Sequence, residues 1–187
     1  MESKGARRGK AGNGAGKKAL SRLQRAPGRA TGRAAAAMPP FSQSLPMQLM
    51  RAREQVMQRF RAHLRAHGLT DQQWRVIRAL VEVDSLEIVD LSARCVIHPA
   101  SLSRILPKLQ ARRLIARRTN EIDQRRTIVS IAPAGRALFA TLVPESQAIY
   151  KQIERELGIR RLKAIYAMLG ELIAILSTNT ALAEFED

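Results

Sequence analysis

Residues 99–112 read P-A-S-L-S-R-I-L-P-K-L-Q-A-R, and residues 115–131 read I-A-R-R-T-N-E-I-D-Q-R-R-T-I-V-S-I. Pro99 suits the first turn of a helix, where its missing N–H would have had no intrahelical partner. At 100° per residue, Leu102, Ile105, Leu106 and Leu109 converge on one side. Ala100, Ser103, Arg104 and Pro107 point the opposite way, with Ser101 and Lys108 at the flank. The outward face is therefore small, polar and basic. Downstream, the β-branched runs from Ile115 and Thr127 read as strands around a turn-like, charged E-I-D-Q-R-R. Residues 94–136 carry ten Lys/Arg against Glu121 and Asp123. A basic helix next to a basic hairpin suits a polyanion.

Upstream, Leu49, Arg53, Val56, Met57, Phe60, Leu64 and His67 recur at steps of three and four, which predicts a helix over residues 45–67. Gly68 ends it. In L-T-D-Q-Q-W at 69–74, Thr70 and Gln73 can satisfy each other's free backbone donors while Leu69 packs on Trp74, a capping box with a hydrophobic staple. A second helix is thus expected over 71–83 and a short third over 89–95. Residues 133–157 and 159–176 read as two long helices separated by Gly158. Pro107 and Pro144 fall inside predicted helices, where each removes a backbone hydrogen bond, so a loosened end to the fourth helix and a bend in the fifth are expected.

The fold class expected is mainly α with a small β-hairpin wing, a winged helix-turn-helix with a terminal-helix dimerisation region. The expected organisation is a disordered basic extension at 1–40, helices at 41–68 and 133–178, a DNA-binding domain at 69–132 and a tail at 179–187. The broad apolar stripe of the last helix, Leu162 to Leu176, needs a cover that a lone domain lacks. Two recognition helices related by a two-fold axis would read palindromic double-stranded DNA, with the chain a homodimer.

The 187 residues carry a net charge of +16. Residues 1–40 hold ten Lys/Arg, one acid and few large apolar side chains, too little burial to offset ordering. That stretch reads as a basic arm for DNA, a targeting presequence, or an extension upstream of a working chain that begins at Met38. The single cysteine, Cys95, excludes an intrachain disulfide and a thiolate metal cluster. No run approaches 18 apolar residues, so a cytoplasmic, nucleoid-associated protein is expected. No catalytic motif is present, no cofactor is expected, and His63 and His67, one turn apart, read as filler in preference to a metal pair.

G-L-T-D-Q-Q-W-R-V-I-R-A-L at 68–80, S-L-S-R-I-L-P-K-L at 101–109, L-I-A-R-R at 114–118, D-Q-R-R at 123–126 and A-G-R-A-L-F at 134–139 together resemble the multiple antibiotic resistance regulator (MarR) family. Within it the chain is similar to regulators of aromatic-acid breakdown operons, including those for homoprotocatechuate and hydroxynicotinate. The resemblance implies a homodimeric repressor, with 41–68 and 133–178 as its dimerisation helices, that leaves DNA when a small aromatic acid binds. It also implies a wing motif in which Asp123 orients Arg125 toward the minor groove, with Arg126 beside it. The DNA-binding candidates are Ala100, Ser101, Ser103, Arg104, Pro107, Lys108, Asp123, Arg125 and Arg126. Arg113 stands where the family often has a glycine at a left-handed cap, and Cys95 lies away from the first helix, where peroxide-sensing members place theirs.

Arg53 falls at the centre of the first helix's apolar stripe, where a buried guanidinium would require an anion. That anion is an acid from elsewhere in the fold or a ligand carboxylate. Resemblance to family pockets between the dimer and DNA-binding regions implies that Trp74 and Arg75 add a ring face and a second donor, so the effector candidates are Arg53, Phe60, His67, Trp74 and Arg75. The competing reading is a constitutive nucleoid-type DNA-binding protein without an effector.

Overall fold

In the computed structural model the described residues are 38–120 and 123–183, with side chains described to 177. The expected disordered extension lies outside them except for residues 38–40. Contacts divide the chain after Gln48 into two compact units. In the first, a 3-10 turn at Phe41–Gln43 leads into a helix. Ser44 Oγ donates to the Phe41 carbonyl at 2.9 Å and Gln48 Nε2 to that of Ser42 at 2.5 Å.

The elements in chain order are α1 (Leu45–Ala66), α2 (Asp71–Val83), β1 (Ser85–Glu87), α3 (Ile88–Cys95), α4 (Pro99–Ala111), β2 (Ile115–Thr119), β3 (Thr127–Ile131), α5 (Pro133–Leu157) and α6 (Ile159–Ala183). The strands form one antiparallel sheet in the order β1-β3-β2, with Ile115 opposite Ile131, Thr119 opposite Thr127 and Ser85 opposite Ser130. The hairpin is thus two strands of a three-stranded wing. Its third strand has three residues, too few for an alternating pattern to show in the sequence. α6 continues past Leu176, and both proline-containing helices, α4 and α5, are continuous. Among the described residues no helix is long and apolar enough to cross a membrane.

The core of the second unit gathers the predicted apolar faces. Leu64 of α1, Ile77 and Leu80 of α2, Leu91 of α3, all four inward residues of α4, Val129 of β3 and Leu142 of α5 are buried. The capping box forms: Gln73 N–H donates to Thr70 Oγ1 at 3.3 Å and Thr70 N–H to Gln73 Oε1 at 2.9 Å.

Three helices end the same way. At α1, Leu69 N–H reaches the Leu64 carbonyl and Gly68 N–H that of Arg65, both at 2.9 Å. At α3, Ile97 bonds back to Ser92 and Val96 to Ala93; at α4, Leu114 bonds to Leu109 and Arg113 to Gln110. These are Schellman turns, each with a left-handed residue followed by a buried apolar one. The left-handed residues are Gly68, Val96 and Arg113, at φ 66, 49 and 56. Arg113 therefore keeps the turn that the missing glycine put in question.

Gly135 matters for a different reason, since a Cβ there would stand 2.1 Å from the Leu114 carbonyl oxygen and 2.6 Å from Ile131 Cδ1. α5 can lie against the wing only with a hydrogen at this position. Two substitutions should move stability in opposite directions in urea melts. Gly135→Ala should destabilise by about 1–3 kcal/mol through overpacking. Val96→Gly should stabilise by about 0.5–1 kcal/mol, because strain relief at φ 49 outweighs the added freedom of the unfolded chain. Val96 is 83% exposed, so little packing is lost with its side chain.

Candidate nucleic-acid interface and effector groove

α3 and α4 are joined by the turn at Val96, and α4 begins with Pro99. His98 caps it, its Nδ1 accepting from the Ala100 N–H at 3.3 Å. On the outward face Ala100, Ser103, Arg104, Pro107 and Lys108 are exposed and Ser101 is half-buried. The Ser103 hydroxyl donates to the Ala100 carbonyl at 2.8 Å. Beside this face a cleft of about 230 Å³ opens against the first turn of α2, lined by Thr70, Gln72, Ser101, Arg104 and Lys108. The α4 candidates thus share one polar, basic surface.

The wing is ordered by carboxylates, in a pattern that differs from the expected one. Asp123 Oδ1 accepts the backbone N–H of Arg125 at 3.0 Å, while its Oδ2 accepts Arg126 Nε at 3.2 Å. Arg126 Nη1 also reaches Glu87 Oε2 of β1 at 3.2 Å. The charge of Glu87, then the Asp123 carboxylate, holds the Arg126 guanidinium above its ordinary range. Asp123 therefore fixes the guanidinium of Arg126 and only the backbone of Arg125. The Arg125 side chain is exposed and makes no ion pair with a described residue. Glu87 could not be found from the sequence, because it meets the wing only through the β1–β3 pairing.

The effector candidates do not form one site. Arg53 was expected inside an apolar stripe; it is solvent-exposed, as are Leu49 and Val56, because no described element covers the stripe before Phe60. Arg75 was expected beside Trp74. It turns instead to the helix-turn-helix, its Nη1 donating to the Cys95 carbonyl at 2.7 Å and the Val96 carbonyl at 3.3 Å. Burial, then the nearby charge of Arg53, pushes the Arg75 guanidinium down. The Cys95 thiol donates to the Arg75 carbonyl at 3.6 Å, and its burial pushes it up against the pull of Arg75 and Arg94. That suppresses the reactive thiolate.

His67 is half-buried, its Nδ1 3.1 Å from the His63 carbonyl. His63 is buried, with Nε2 3.2 Å from both the Leu142 carbonyl and Ser146 Oγ. Glu145 Oε2 lies 2.8 Å from the other ring nitrogen, out of line for a hydrogen bond. No group of three or more His, Cys, Asp or Glu is placed to hold a metal ion among the described residues.

Trp74 does line a groove, of about 180 Å³, with Arg78, Phe139, Val143, Ser146 and Tyr150. Its ring stacks on Phe139 with centroids 5.5 Å apart and planes at 23°. Phe60 sits behind Tyr150, their centroids 5.0 Å apart. Arg78 Nη1 donates to the Tyr150 hydroxyl at 3.1 Å. Arg78 is the residue the sequence reading missed, although it stands four after Trp74 and so on the same helical face. Phe139 and Tyr150 come from α5, far away in sequence, and carry no local signal.

A helix-turn-helix with a basic outer face, flanked by a basic three-stranded wing, defines a winged helix DNA-binding protein. The model of the MarR family matches residues 67–126. The homoprotocatechuate degradative operon repressor of Escherichia coli is 35% identical over 133 residues, 71% of this chain and 89% of the relative. The crystal structure of NadR in complex with 4-hydroxyphenylacetate superposes with a TM-score of 0.66 at 31% identity, over 72% of this chain and 98% of the other. That of Bordetella bronchiseptica BpsR, whose DNA binding is regulated by 6-hydroxynicotinic acid, does so with a TM-score of 0.64 at 26% identity, over 73% and 98%. The chain belongs to the MarR family of DNA-binding transcriptional regulators.

The wing geometry has a direct test. In Asp123→Ala the acceptor of the Arg125 N–H and one anchor of Arg126 disappear together. Amide hydrogen exchange at Arg125 should accelerate about tenfold, the loss expected for one charge-assisted bond. Exchange in α2 should stay unchanged.

Proposed function

We propose that this chain is a homodimeric repressor that binds a palindromic operator through α4 and the wing, and that a small aromatic acid seated in the Trp74–Arg78–Tyr150 groove releases it. One observation carries the effector reading: the groove combines two stacked aromatic walls with a guanidinium and a phenol at hydrogen-bond distance. A ring carrying a carboxylate is the ligand that would use all of these at once. Arg78 would take the carboxylate, Tyr150 a second polar group, and Trp74 and Phe139 the ring. The ligands named for NadR and BpsR have this chemistry. Phe60 supports Tyr150 from behind. Arg53 and His67 stay in the reading only as residues of α1, and Arg75 as a brace of the DNA-binding turn.

For DNA, the polar face of Ala100, Ser101, Ser103, Arg104, Pro107 and Lys108 would enter the major groove. The side chain of Arg125, without an ion-pair partner among the described residues while Asp123 and Glu87 hold Arg126, would reach the adjoining minor groove, where narrow A·T tracts concentrate negative potential. Dimerisation is supported by exposed apolar side chains on α6, among them Tyr166, Met168, Ile173 and Ile175, each more than half exposed. A second copy is the cover that fits a DNA-reading protein, because it supplies the second half-site reader. A constitutive DNA binder without effector would leave the Arg78 groove unexplained.

Sedimentation should give a dimer at micromolar concentration, and Ile173→Glu should shift it toward monomer and weaken operator binding. Calorimetry with 4-hydroxyphenylacetate and 6-hydroxynicotinate tests the effector. Arg78→Ala should lower affinity by about 1.5–3 kcal/mol while leaving operator binding in place. Equal affinity in the folded variant would remove Arg78 from the site.

On DNA, Arg125→Ala should cost about 1–3 kcal/mol and relax the preference for A·T flanks, whereas Lys108→Ala should weaken all duplexes alike and lower the salt slope by about 1.

A further inference from the structure

The recognition helix ends on the end of another helix. Arg112 is the last residue before the left-handed turn that closes α4. Its Nη1 donates to the Gly68 carbonyl at 2.6 Å and its Nη2 to the His67 carbonyl at 3.0 Å. These two acceptors lie just past Ala66, in the turn that closes α1, where the helix dipole is negative and the last carbonyls lack intrahelical partners. The guanidinium lies against the turn itself, with Nη1 3.6 Å and Cζ 3.9 Å from where a Cβ would stand on Gly68. A planar fork can hold two adjacent carbonyls in one fixed geometry, which an ammonium on a flexible stem cannot.

On its other side α1 is fastened to α5. His63 meets the Leu142 carbonyl and Ser146 Oγ, and Phe60 packs on Tyr150. Ser146 and Tyr150 also line the proposed effector groove. α1 is thus held by α5 near the groove and by α4 through Arg112. Among the described residues, the outward Arg104 and Lys108 of α4 make no hydrogen bond or ion pair to another element, while the charge of Arg112 is occupied.

We propose that Arg112 is a positioning residue for operator recognition: by clamping the two carbonyls at the end of α1, it sets the angle at which α4 is presented to DNA. The proposal rests on the DNA-binding reading above and assigns Arg112 no contact with DNA. It separates geometry from charge, since a phosphate-binding arginine would be replaced adequately by lysine and a carbonyl clamp would not.

The experiment uses the full chain, an operator selected from random duplexes, and a random duplex of equal length. Arg112→Ala and Arg112→Lys are measured against the parent by fluorescence anisotropy, with circular dichroism melts to confirm folding. Both variants should lose about tenfold in operator affinity and change less than about twofold on random DNA. Rescue by lysine, or an equal fall on both duplexes, would make Arg112 a phosphate contact and overturn the proposal. A loss on both duplexes that tracks a lowered melting temperature would make it a purely structural cap and overturn it equally.

Amide exchange without DNA gives an independent readout. In both variants it should accelerate in the turns at 67–69 and 112–114 and not in the wing; unchanged exchange there would show that the clamp does not form. Failure of the DNA-binding reading is distinguishable, because selection with the parent protein would then yield no preferred sequence.

Discussion

Left-handed turns that return the chain to the core are the constraint on which the arrangement depends. A helix closed at Gly68, Val96 or Arg113 reverses direction in two residues and delivers Leu69, Ile97 or Leu114 to the interior. The first of these turns directs α2 away from α1, the second sets the break between α3 and α4, and the third starts β2. A slip at any one would bring the wrong face of the next element to the core. Only the first uses glycine, so the other two store strain offset by the burial of the apolar residue that follows. That Val96 is itself exposed, with Ile97 buried beside it, shows which of the two residues the turn serves.

Guanidinium groups complete two of these turns. Arg112 binds the end of α1, and Arg75 binds the end of α3, in each case through main-chain carbonyls at the negative end of a helix. A carbonyl pair accommodates a positive charge without a carboxylate, which explains how so basic a domain carries so few acids near its DNA face. At the wing two acids are used on one arginine, where Glu87 and Asp123 converge on Arg126. Within the basic region, some arginines therefore build the scaffold and others remain available to a polyanion, a division invisible in a charge count.

Most of the fold was legible because its signals are local: the capping box at Thr70, the apolar stripe of α4, Pro99 at a helix start and the β-branched strands each sit within one element. What was missed depends on contacts between elements. β1 exists because β3 offers it an edge, Glu87 reaches Arg126 through that pairing, and Tyr150 reaches Arg78 across α5 and α2. Arg53 shows the limit most clearly. Periodicity placed it correctly on one stripe with Leu49, Val56, Phe60 and Leu64, yet a stripe is buried only where something lies on it: Phe60 and Leu64 are covered, and no described element covers the end with Leu49, Arg53 and Val56.

Arg75 meets the opposite condition. Burial, then the like charge of Arg53, disfavours its guanidinium. The carbonyls of Cys95 and Val96 offset that cost by accepting from Nη1 at 2.7 and 3.3 Å. A charge held in this way braces the turn between α3 and α4, whereas an arginine on an uncovered face, such as Arg53, braces nothing.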